Sequence, residues 1–87
     1  NDIEKAKKIA LDVVKQCPYV DENDERNDIV VVSLADSGVE METRAWVDTP
    51  DYWNAFYYLT ETIKVELEKN DIVIPYNQLE VHISNNN

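Results

Sequence analysis

Ile72-Val73-Ile74-Pro75-Tyr76-Asn77-Gln78-Leu79-Glu80-Val81-His82-Ile83 reads as a short apolar strand, a proline-broken corner and a second, alternating strand. Pro75 cannot donate to a β-ladder, so the two pieces cannot be one central strand. The first piece, Ile72 to Ile74, is expected to close a sheet. The second, Leu79 to Ile83, is aimed elsewhere. A terminal strand with no obvious partner in its own chain suggests pairing between chains.

Working back from that corner, Tyr52, Ala55, Phe56, Leu59, Ile63 and Leu67 form one stripe at helical spacing. Thr49 is expected to cap this helix with Pro50 at its first position, and Asn70-Asp71 to end it. Before it, Val39 to Val47 alternates. Val39, Met41, Thr43, Ala45 and Val47 face one way, and Glu40, Glu42, Arg44 and Trp46 the other. Ile29 to Leu34 is an apolar strand, and the Asp36-Ser37-Gly38 turn joins the two into a hairpin. A first helix is expected over Asp2 to Gln16, on the spacing of Ile3, Ala6, Ile9, Ala10, Val13, Val14 and Cys17. Asn1 or Asp2 can cap it, and Pro18 stops it.

The order α-β-β-α-β plus an extra C-terminal strand predicts an α+β two-layer sandwich. It is ferredoxin-like but lacks that fold's first strand. Two helices cover one sheet face only. The open face should be polar in a monomer, yet strand one places Val or Ile on it and strand two adds Trp46. A partner is expected there.

With 87 residues the chain holds one small core. Its net charge of −10 excludes a nucleic-acid footprint and disfavours an anionic membrane surface. The longest apolar run, Ile29 to Val32, is far below the ~20 residues of a membrane helix. No signal-peptide core is present. Cys17 is the single cysteine, so no disulfide forms within the chain. The chain begins with Asn1, and Met41 is its one methionine, which points to an excised or processed piece of a longer protein.

Catalytic constellations are scarce. His82 has no Cys, Asp or second His beside it in sequence, so a polar-face role outweighs a metal site. Cys17 reads as a packing residue. The single glycine cannot build a phosphate loop. Glu40, Glu42 and Arg44 read as a solvated charge ladder. Aligning Asp21 with the start of an EF-hand loop puts Arg26 where glycine is needed and Val32 where the bidentate Glu belongs, so residues 21–28 read as a solvated linker. No enzyme activity, cofactor or metal is expected. Trp53 and Tyr57 flank one side of the helix stripe, and Tyr58 and Val65 the other. Together with Trp46, these aromatics favour at least one contact between subunits.

Several of these residues match a known pattern. Arg44-Ala45-Trp46-Val47, Asp51-Tyr52-Trp53, Ile63-Lys64 and Ile72-Val73-Ile74-Pro75-Tyr76-Asn77-Gln78, in that order, resemble the C-terminal soluble domain of the small-conductance mechanosensitive channel (MscS-like) family. There an Arg-x-Trp strand precedes a helix with an Ile-Lys pair, and a Gly-Ile-x-hydrophobic-Pro-aromatic-Pro-Gln segment closes the domain. Asn77 stands in place of the usual second proline and Asp71 in place of a frequent glycine. The acidic 21–28 loop replaces a shorter connection.

The resemblance implies a domain on the cytoplasmic face of the membrane, in a homo-heptameric channel. Residues 1–78 would form the vestibule beneath the pore, and residues 79–87 a strand of an inter-subunit barrel with its tail. Interface residues implied or suggested are Trp46, Trp53, Tyr57, Pro75, Tyr76, Gln78, Leu79, Val81 and Ile83. The isolated chain is expected to be monomeric, because one short strand offers little interface. The alternative is a stand-alone ferredoxin-like module binding a small ligand at a helix–sheet edge. An acylphosphatase-type enzyme ranks third, since an Arg in a glycine-rich loop is missing.

Overall fold

The computed structural model describes residues 2–21, 23–34, 38–73 and 79–85. Helix α1 spans Asp2–Gln16, strand β1 Asp28–Leu34, strand β2 Gly38–Val47, helix α2 Tyr52–Lys69 and strand β3 Leu79–Asn85. The architecture is α+β, with two helices on one face of a three-stranded mixed sheet ordered β1-β2-β3.

β1 and β2 pair antiparallel from Asp28↔Arg44 to Leu34↔Gly38. The alternation of β2 does what its sequence requires: Met41, Thr43, Ala45 and Val47 are buried, while Arg44 is exposed and Glu40, Glu42 and Trp46 are half-buried. From β1, Ile29 enters the same core and Val31 packs against it. α1 contributes Ala6, Ala10, Val13 and Val14, with Cys17 just past its end, and α2 contributes Ala55, Leu59, Ile63 and Leu67. Each fully buried aliphatic side chain of this set contributes about 1.5–3 kcal/mol by leaving water. The small residues Ala6, Ala10 and Ala55 are among those lining the layer where α1 meets α2 and the sheet.

Two expectations are corrected here. The helical path to α2 opens one residue early, through a 3₁₀ turn over Thr49–Asp51 whose N-cap is Asp48 rather than Thr49. Pro50 still fits, since its fixed φ suits either of the first two helical positions. Secondly, Ile72 and Val73 do not form a strand, and Ile74 lies outside the described residues. The end of α2 explains this. Asp71 takes φ 60°, and its N–H donates to Glu68 O at 3.0 Å, while Ile72 N–H donates to Leu67 O at 2.9 Å. This double bond pattern is a Schellman closure. It turns Ile72 back onto Leu67, and both side chains are buried. Val73 is left 84% exposed.

The third strand is instead Leu79–Asn85, which pairs parallel with β2 from Met41↔Leu79 to Val47↔Asn85. A parallel pair needs a crossover, and α2 supplies it. The terminal strand therefore has a partner in its own chain, contrary to the reading of the sequence.

Candidate interaction surface

Three surfaces follow from this frame: the open sheet face, the outer side of α2 and the free sheet edges.

On the open face β2 and β3 present Glu40, Glu42, Arg44, Trp46, Glu80, His82 and Ser84, and β1 adds Val30. The expected apolar patch is smaller than the sequence suggested, because Trp46 is covered from within. The Arg26 guanidinium sits 3.6 Å from its ring centroid. Arg26 is itself held by Asp24 through Nε at 2.9 Å and Nη2 at 2.6 Å, and this pairing draws the Asp24 pKa down to about 2. Asn27 fastens the same loop. Its Oδ1 accepts from the Trp46 backbone N–H at 2.8 Å, and its Nδ2 donates to Asp21 O at 2.7 Å. The acidic segment read as a solvated linker is thus a set of short turns clasped to the end of β2.

At the centre of this face the β2–β3 register sets Glu42 opposite Glu80 and Arg44 opposite His82. His82 Nε2 lies 2.9 Å from Glu80 Oε2 and 3.9 Å from Glu42 Oε1. Arg44 Nη2 bonds the other Glu42 oxygen at 3.1 Å. Glu40 has its pKa raised, first by partial desolvation on the strand and then by the carboxylates of Glu80 and Glu42. Sequence reading looked only for Cys, Asp or a second His beside His82 and passed over Glu80, two residues away on the same strand face; Glu42 lies forty residues away and was not legible.

The outer side of α2 carries the exposed aromatics. Trp53 is 61% exposed and Tyr57 63%. Their rings are not loose. Trp53 packs edge-on to Tyr52 (5.0 Å between centroids) and Phe56 (5.8 Å), and lies 6.0 Å from Tyr57. Tyr58 turns the other way and meets Tyr19 edge-on at 6.4 Å, against the core.

The sheet ends in two edges, β1 and β3. Val81 and Ile83 point inward and are partly buried against this chain's own core, so their expected contact face is occupied within the chain. Leu79 enters β3 through its backbone pairing. Pro75, Tyr76 and Gln78 lie outside the described residues.

Elsewhere, burial pushes the Cys17 thiol pKa up, which suits packing and disfavours thiolate chemistry. A crevice of about 200 Å³ is lined by Ile3, Ala6, Val31, Met41, Ile72 and Val73, with Asp71 at its rim. That is below the roughly 300–1,000 Å³ of small-molecule sites. No described helix is long and apolar enough to cross a membrane.

Residues 1–74 match the family described as mechanosensitive ion channel MscS, C-terminal. The chain belongs to the MscS family. Among relatives, an uncharacterized MscS family protein of Archaeoglobus fulgidus is 35% identical over 85 residues, covering 98% of this chain and 30% of that protein. The small-conductance mechanosensitive channel of Edwardsiella ictaluri is 32% identical over 82 residues, covering 94% of this chain and 28% of that channel. An MscS family protein of Synechocystis is 40% identical over 55 residues, covering 63% of this chain and 19% of that protein. This MscS-family chain therefore spans less than a third of the length of these relatives. No solved structure matches it.

Proposed function

We propose that this MscS-family domain assembles with copies of itself on the cytoplasmic side of the membrane, forming the vestibule beneath the pore of a mechanosensitive channel. The observation that carries the reading is the pair of exposed, mutually braced rings of Trp53 and Tyr57, in a chain whose family is that of the MscS C-terminal domain. Large aromatic rings concentrate at subunit interfaces, and rings already held in place lose little freedom on binding. The outer edge of β3 is a second contact, since among the described residues no strand pairs with it, and it can add a neighbour's strand while its inner edge stays on β2. A ring of seven is the proposed stoichiometry, following the resemblance.

The test is a double substitution, Trp53→Ala with Tyr57→Ala, in the full-length parent protein purified in detergent. Native mass spectrometry should show smaller or dissociating assemblies, while the melting temperature of the isolated 87-residue chain stays within about 2–4 °C of wild type, as for other surface changes. Unchanged assembly would remove α2 from the interface. A large loss of stability in the isolated chain would make the two rings part of the fold.

A further inference from the structure

We propose that Glu42, Glu80 and His82 form a binding site for a divalent transition-metal ion of the zinc type, which fastens β3 to β2. The inference does not depend on the channel reading.

The three side chains come from two strands that meet only through the tertiary fold, and they share the open face. Their ligand atoms all lie within 4.8 Å of one another. Four ligands around zinc at bond lengths of 2.0–2.1 Å are separated from each other by roughly 3.3 Å. The His82–Glu80 and His82–Glu42 separations, 2.9 and 3.9 Å, fall on either side of that value. Small side-chain rotations would complete the site without moving a strand.

Glu42 is also oriented for the task. Arg44 holds Oε2 and leaves Oε1 as the oxygen nearer the imidazole. A group that pins one ligand oxygen in this way is the usual outer support of a metal ligand. The charges argue in the same direction. Two carboxylates directly opposite on paired strands repel, and Glu40 sets a third on the same face, two residues before Glu42. A divalent ion held by all three ligands offsets both carboxylate charges.

The donor set selects among cations. One imidazole with two carboxylates suits zinc and its first-row neighbours, whereas calcium and magnesium prefer oxygen alone. Three protein ligands leave a position for water, so the ion would be exchangeable. Because its ligands lie on both strands, the ion binds the assembled sheet and stabilises it by mass action.

The experiment is a zinc titration of the tag-free 87-residue chain by calorimetry, paired with thermal melts in zinc and, separately, in magnesium at the same concentration. One zinc per chain is expected. Its binding should weaken at least ~10-fold in His82→Ala and in Glu80→Gln, and hold in Glu61→Gln on the far side of the molecule. Zinc should raise the melting temperature by several degrees, with magnesium giving much less. In case the alanine variant disturbs β3, the ring nitrogen resonances of His82 in the wild-type protein provide a second readout, and Nε2 should shift on zinc addition. No saturable binding, equal binding by the variants, an unmoved Nε2 signal, or an equal effect of magnesium through general charge screening would each overturn the site.

Discussion

At Asp71 the backbone adopts φ 60°, where every residue but glycine carries a steric cost. Aspartate tolerates the conformation better than most residues, and the Schellman closure above depends on it. Relief of that strain by glycine is partly offset by glycine's own entropy. Asp71→Gly should therefore leave stability unchanged or raise it by up to about 1 kcal/mol, whereas Asp71→Val should lower it by about 1–2 kcal/mol. Urea midpoints of the two variants check this, and a stable valine variant would refute the left-handed turn. The aspartate was legible as a departure from the family pattern. Its consequence was not, because Ile72 and Val73 look like strand residues until the helix closure claims them.

At the scale of elements, Asn27 decides how the acidic segment is held. It lies beyond the end of the β1 ladder, where Trp46 N–H would otherwise lose its protein partner. Leaving a partly buried N–H unpaired costs about 1–3 kcal/mol. Asn27→Ala should lose about that much, while Asn27→Asp keeps an oxygen for Trp46 and should lose less. Equal losses, measured by urea unfolding, would show that the bond to Asp21 O carries the effect instead. The same element view explains why the boundaries of α1 and β2 were readable. Their apolar periods are uninterrupted, and Pro18 stops the first helix sharply. The start of α2 was misplaced because Thr49–Asp51 form a separate 3₁₀ turn with Asp48 at its N-cap, and α2 proper begins at Tyr52 with Asp51 at its N-cap.

For the whole molecule, the net charge of −10 opposes compaction at neutral pH. Glu40 places part of that opposition on the open face. An acid whose pKa is raised by folding favours the folded state most below its unfolded value, and that contribution is lost as pH rises through the folded value. Stability should thus increase as pH falls from neutral into the carboxylate range at low salt. The gain should be smaller in Glu40→Gln, which is already neutral there. Asp24 works in the opposite sense, but its contribution disappears only as pH falls toward about 2. Identical pH profiles for wild type and Glu40→Gln, read from urea midpoints at pH 7 and 5, would count against the repulsion argument.

Both helices, strands β1 and β2 and the inward face of β2 were legible from residues alone, because they follow from local periodicity, whereas Asp36 and Ser37 of the expected turn lie outside the described residues. The sequence also carried the family, through the ordered motifs from Arg44 to Gln78. What Leu79–Asn85 lies against, what covers Trp46, and that Glu42 stands beside His82 came from the folded chain alone. Each of these depends on residues far apart in the chain, joined by a crossover or a side-chain clasp. Strand pairing is chosen by the free energy of the whole sheet and its core, and no local pattern in β3 distinguishes a partner in its own chain from one in a neighbour.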